Sequence, residues 1–156
     1  MTSRHYALIE GIRIFWPPQR RDMHMELIAT LEWMRDQRAE KYPAMIAAGT
    51  VEQERADREI ALLAECIADC RFLFFRQGAP SALATFAARR ALLCGSLNTL
   101  KSYAREDDRF DEERARQVEC LAAILAWHFD PDRYLTRIAE IRRESAEQQR
   151  EMPDAA

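Results

Sequence analysis

From Thr50 to Gln77 the chain reads TVEQERADREIALLAECIADCRFLFFRQ, and this stretch decides the fold. Ala56, Ile60, Leu63, Ile67, Cys70 and Phe74 follow one another at alternating spacings of three and four, which keeps them on one stripe of an α-helix. Leu62, Cys66 and Leu73 widen that stripe beyond a two-stranded seam, so the helix is expected at the centre of a bundle. Thr50 followed by Gln53 reads as a capping box, which predicts a helix from Val51 to about Gln77.

The flanking stretches supply its partners. Upstream, Met23, Met25, Leu27, Leu31 and Met34 share a helical stripe with Ile28 beside it, predicting a helix to Lys41. Tyr42-Pro43 is expected to break it, with a short extra helix from Pro43 to Ala48 stopped by Gly49. Before Met23, Thr2 or Ser3 caps a short helix through about Phe15 that Pro17-Pro18 ends, so residues 1–22 read as an N-terminal helix or arm. Met23 and Met25 also stand where a later start would leave those residues as an extension.

Downstream, Ser81 is expected to cap a helix to about Arg105 with Leu83, Phe86, Leu93, Leu97 and Leu100 inward. Arg90 falls on that stripe and reads as a snorkelling or paired arginine. Val118, Leu121, Ile124, Leu125 and His128 mark a helix ending near Phe129, and Asp130-Pro131 opens a last one carrying Tyr134, Ile138 and Ile141. Past Arg142 the residues are polar and charged, and fraying is expected, with 151–156 a disordered tail. The fold class is all-α: a helical bundle of about five main helices plus the short helix after Pro43, with residues 23–150 as a single domain.

Composition agrees. Of 156 residues only 4 are Gly and 6 Pro, too few turn formers for a sandwich or barrel, and the scattered glycines exclude a phosphate-cradling loop. Lys+Arg is 23 and Asp+Glu 26, so a net charge of -3 makes no case for a general polyanion binder. No stretch has the order of a signal peptide or the length of a membrane span, so a cytoplasmic protein without membrane contact is expected. Cys66, Cys70, Cys94 and Cys120 lie among apolar neighbours and read as buried free thiols.

Motifs that would carry catalysis are missing. No histidine has a carboxylate three residues before it, which rules out the Glu-x-x-His of di-iron bundles. Glu54 to Asp57 and Glu144 to Glu147 stand in the reverse order to that of helical pyrophosphatases. The acidic run from Glu106 to Glu113 lacks the glycine and ligand period of an EF-hand and reads as a solvated turn. Cys66 and Cys70, one turn apart, are the best metal-like pair, but the role of small hydrophobes in a tight interface fits them far better. No catalytic residue, cofactor or metal is expected.

Two groups remain as contact candidates. Phe72 and Phe75 fall off the main stripe between Arg71 and Arg76, an arrangement that suits a partner or homodimer interface with arginines at its rim. Coverage by Ile12, Ile14, Phe15 and Trp16 would serve the same two rings. Arg89 and Arg90 are the nucleic-acid alternative, on arginine-rich helix faces.

The residues Glu40-Lys41-Tyr42-Pro43, Ile46, Gly49, Ala56, Asp57, Arg58, Ile60 and Ile67 resemble a pattern in small helical proteins of phages and prophages. The resemblance spans Met25 to Arg71 and implies a mobile-element accessory protein; it transfers no catalytic residue. The functional expectation is a non-enzymatic helical protein-interaction module, a phage or prophage regulator or inhibitor that binds a host protein or itself. The alternatives are a nucleic-acid accessory protein and, more remotely, a metal-dependent helical enzyme.

Overall fold

Five helices carry the fold in a computed structural model that describes residues 5–9, 12–16, 20, 22–81, 85–106, 112–129 and 131–152, with the strands and residues 103–106 described in backbone only. They are α1 (His24–Ala47), α2 (Gln53–Phe75), α3 (Phe86–Glu106), α4 (Glu112–Trp127) and α5 (Pro131–Glu151). α1 packs on α2 and α4, α3 packs on the same two, and α5 lies along α2. The architecture is an all-α helical bundle, a ring of four helices with the fifth against α2.

The main core lies inside the ring. It joins Leu27, Leu31 and Met34 of α1, Leu63, Cys66, Ile67 and Cys70 of α2, Leu93, Cys94 and Leu97 of α3, and Cys120, Leu121, Ile124 and Leu125 of α4. A second cluster seals α5: Tyr134, Ile138 and Ile141 close over Phe72 and Leu73 of α2 and Phe86 of α3. Burying a ring such as Phe72 contributes about 2 to 3 kcal/mol. All four cysteines are buried and free.

The N-terminal segment departs from expectation. Instead of a helix, β1 (His5–Ile9) pairs antiparallel with β2 (Ile12–Trp16), Ile9 opposite Ile12 and His5 opposite Trp16. The reason is in the residues: two runs rich in isoleucine and aromatics are separated by Glu10-Gly11, a hairpin signal stronger than any helical stripe there. Thr2, Ser3, Pro17 and Pro18 lie outside the described residues. Just after them, Arg20 ties the chain to the bundle through Glu26 at 2.6 Å and Glu119 at 2.5 Å.

Pro43 does not break α1, which continues to Ala47, so the extra helix is its last turns. Pro43 and Ala39, whose carbonyl loses its amide partner, are both exposed, where solvent can take the freed acceptor. The helix stops where expected, at Gly49 (φ 75°). There the amide of Gly49 donates to Ile46 and that of Thr50 to Met45, closing a Schellman motif.

That motif also consumes the expected capping box. The Thr50 hydroxyl donates to the Met45 carbonyl at 2.9 Å, and Glu52 stands at the N-cap of α2 with no side-chain cap. Ser81 does not cap α3 either; it turns to Asp69. α5 does not fray after Arg142 but stays helical through Glu151, while 153–156 of the expected tail lie outside the described residues.

α2 ends on Arg76 at φ 56°, the sole non-glycine residue with positive φ among the described residues. A side chain there opposes the left-handed backbone by about 1 kcal/mol. Its ion pair with Glu144, 2.5 Å, is exposed at both ends and contributes little. Arg76→Gly is therefore expected to raise stability by about 0.5 to 1 kcal/mol, read as a higher urea midpoint. Arg76→Ala, which keeps the Cβ, should bring no gain; an equal gain from both would show that strain is not the cause.

Candidate functional site

Two polar constellations stand out, one sealed and one open. The sealed one joins α2, α3 and the connection between them. Arg89, wholly buried, donates from Nη1 to Asp69 Oδ2 at 2.6 Å and from Nη2 to the Ser81 hydroxyl at 2.5 Å and Glu65 at 3.3 Å. The Ser81 amide and hydroxyl both donate to Asp69 Oδ1, at 2.7 and 3.0 Å, and the Thr85 hydroxyl donates to Glu65. Asp69 is also wholly buried, so this is an ion pair held inside the fold by hydrogen bonds on both members.

His128 closes the same region. Burial, with the Arg89 charge adding to it, pulls its pKa down to about 4, so the ring is neutral near pH 7. A neutral ring 2.8 Å from the Ile124 carbonyl carries its proton on Nδ1 and donates it there. Nε2 then accepts from the Cys66 thiol at 3.8 Å. Burial pushes that thiol up to about 12, so the pair is a neutral contact between core groups and not an activated thiolate.

The open constellation is a groove of about 420 Å³ among α1, the first half of α2 and α3. α1 supplies Trp33, Gln37, Lys41 and Met45 at spacings of four, with Arg38 and Tyr42 each one position on from a member of that row, which places them along one side of the helix. α2 adds Arg55 and Glu59, and α3 adds Leu92, Gly95, Ser96 and Thr99. Three cations, Arg38, Lys41 and Arg55, thus face one carboxylate, Glu59. Trp33 and Met45 remain 40% and 37% exposed, large apolar surface beside the charges.

Hydrogen bonds fix the groove in advance. Arg38 Nη2 donates to the Ser96 hydroxyl at 2.9 Å, Nη1 reaches the Met34 carbonyl at 3.4 Å, and Nε lies 3.6 Å from Glu59. Tyr42 donates its hydroxyl to Glu59, and Arg55 Nε donates to it at 3.2 Å. Burial acts to raise the Glu59 carboxyl, but the bonds from Tyr42 and Arg55 and the Arg38 charge outweigh it, so the group is held below its ordinary range. Burial, then the bond to Glu59, lifts Tyr42 above its own.

The residues singled out from sequence do not converge here. Phe72 is not available for contact: it is buried under α5. Phe75 stays 42% exposed at the end of α2, its ring 6.4 Å from that of His24. Arg71 and Arg76 are exposed and paired, with Glu32 and Glu144. Arg89 is the arginine that turns inward, not Arg90, because position 89 lies a turn before Leu93 and a turn after Phe86 on the buried side. Buried and paired, Arg89 cannot meet a phosphate. Arg90 is half-buried, its guanidinium 3.4 Å from the His128 carbonyl and over the Phe129 ring.

Cys66 and Cys70 both point into the core, and no group of three potential ligands is placed for a metal among the described residues. Among those residues too, no helix is long and apolar enough to cross a membrane. Sequence reasoning missed the groove. Its signal was the i, i+4 series Trp33, Gln37, Lys41 and Met45, which the expected break at Pro43 cut in two. Comparison with protein-family models, with curated proteins and with solved structures finds no match to this chain.

Proposed function

We propose that this chain is a non-enzymatic helical protein-interaction module that receives an acidic segment of a partner protein in the groove among α1, α2 and α3. The observation that carries the reading is the lining itself: three cations against one carboxylate, beside exposed Trp33 and Met45, in a chain whose net charge is -3. Arginine, methionine and tryptophan are the residues that interfaces concentrate, and tryptophan and arginine are those that most often carry their binding energy. A preset Arg38 lowers the ordering entropy of binding. The resemblance to phage and prophage helical proteins supports a host protein as the partner and a regulator as the role.

Gly95 provides the test. A Cβ built there meets nothing within 4 Å, so Gly95→Phe fills the groove without a clash at its root and adds helix propensity. A photo-crosslinking side chain in place of Thr99, inside the cells that encode the protein, is expected to capture a discrete protein adduct. The same group in place of the exposed Arg143 should not, and Gly95→Phe should abolish the adduct while leaving thermal stability at least unchanged. Identical adducts from both positions, or adducts indifferent to Gly95→Phe, would sink the proposal.

A further inference from the structure

We infer that the acidic group the groove takes is a phosphomonoester, carried on a serine or threonine of the partner segment beside an apolar side chain. The inference rests on the reading of the groove as the binding site and adds the chemistry of what enters it. Arg38, Lys41 and Arg55 line the groove against Glu59 as its single carboxylate, so two positive charges stand unbalanced in the lining. Two of the cations are open to solvent: the Arg55 side chain is 61% exposed, and Lys41 is exposed with no ion pair among the described residues. The local charge thus runs against the net charge of -3 of the whole chain.

Charge decides between the anions that can enter. A glutamate or aspartate side chain brings one negative charge and leaves the lining cationic. A phosphomonoester brings about 1.5 to 2 negative charges near pH 7, each attracted by the same cations, so it is held more strongly. A nucleic-acid phosphate is a diester with a single charge, and in this groove it has no such advantage. Trp33 and Met45, both partly exposed, offer apolar surface to the neighbouring side chain. A volume of about 420 Å³ holds a short phosphorylated side chain together with that neighbour, and not a whole helix.

The groove keeps its own charge while such a ligand titrates. No histidine is among its described lining residues, Glu59 is held below the ordinary carboxylate range, and Tyr42 is lifted above its own. A change in affinity between about pH 5.5 and 7.5 therefore reports the second ionisation of the ligand, near pH 6, and phosphomonoester binding must strengthen as pH rises through it.

Four probes test this on the full chain, each titrated while the amide signals of Gly95 and Ser96 are followed by NMR: N-acetyl-leucyl-phosphoserine amide, its glutamate counterpart, inorganic phosphate and thymidylyl-thymidine. The phosphoserine peptide is expected to shift both signals saturably at pH 7.5 and to bind at least about threefold tighter than the glutamate peptide. Inorganic phosphate, which lacks the apolar side chain, and the dinucleotide, a diester, should both bind more weakly than the phosphoserine peptide. At pH 5.5 the phosphoserine peptide should weaken at least about twofold while the glutamate peptide stays nearly unchanged. Lys41→Gln should weaken the phosphoserine peptide more than the glutamate peptide without altering the urea midpoint. Arg143→Gln, at an exposed position of α5 outside the groove, should change neither affinity.

Glutamate binding as tightly as phosphoserine, a phosphoserine affinity indifferent to pH, or no saturable shift with the phosphoserine peptide overturns the inference. So does inorganic phosphate or the dinucleotide binding as tightly as the phosphopeptide, or an equal loss from Lys41→Gln and Arg143→Gln. The two proposals fail separately. Crosslinking from position 99 that captures a partner while the peptides show no preference for phosphate removes the chemistry and keeps the module. Phosphoserine selectivity without any captured protein does the reverse.

Discussion

Asp69→Ala is expected to lower the stability of the fold by about 3 to 5 kcal/mol. Asp69 and Arg89 are both wholly buried, and the pair is 2.6 Å apart. Removing the carboxylate leaves a guanidinium with no solvent to turn to, held by Ser81, the partly exposed Glu65 and the face of the Phe86 ring. It also frees the Ser81 amide and hydroxyl, which both donate to Asp69, so the connection between α2 and α3 loses its anchor.

A control separates the worth of the pair from the penalty of an orphaned charge. Asp69→Leu combined with Arg89→Met removes both ions and refills the space with apolar groups, and it should recover much of the loss, because desolvating an ion pair offsets most of its attraction. Urea denaturation of the three proteins decides it. A cost under about 1 kcal/mol for Asp69→Ala, or a double variant no more stable than the single one, would mean that the pair is not buried in solution as it is here.

The second large effect is acid sensitivity centred on His128. Burial holds its folded pKa at about 4, below the unfolded value of 6.5, because the ring sits in the core between Cys66 and the Ile124 carbonyl. For a base whose folded pKa is depressed, the unfolded chain binds more protons between the two values, so stability falls as pH falls through that window. The contribution is intact above pH 6.5 and lost progressively down to pH 4. The gap corresponds to roughly 3 kcal/mol at 1.36 kcal/mol per unit. His128→Gln removes the titration, so its urea midpoint should vary less between pH 7 and pH 4 than that of the unaltered chain. Parallel pH profiles would assign the acid loss to the carboxylates.

Most of the architecture was written in periodicity. The stripe from Ala56 to Phe74 identified α2 as central, and Leu121, Ile124 and Leu125 of α4, His128 just past its end, and Tyr134, Ile138 and Ile141 of α5 all turned inward as their spacing required. What failed were local signals overridden by tertiary context. Pro43 was read as a break, but one missing amide on an exposed turn does not end a helix that is packed along its length on α2. Thr50 and Ser81 were read as helix caps, yet each had a stronger partner, the Met45 carbonyl and the Asp69 carboxylate.

The sites were less legible for a related reason. Whether Arg89 or Arg90 turns inward depends on one residue of helical phase, about 100° of rotation, and the aliphatic stripe alone does not fix it. Asp69 on α2 settles the choice, and it lies twenty positions away in sequence. The groove draws on three helices, so no single window contains it. Phe72 looked like an uncovered ring because nothing in its own helix shows that α5 returns to cover it.

The burial of all four thiols has a practical meaning. Cys66, Cys70, Cys94 and Cys120 lie in the main core, spread over α2, α3 and α4, and burial raises the Cys66, Cys70 and Cys120 thiols above their ordinary range. A soluble alkylating reagent meets none of them while the ring of helices is shut. Its rate of reaction therefore counts openings of the core and not surface chemistry, and the chain carries a built-in clock for its own unfolding.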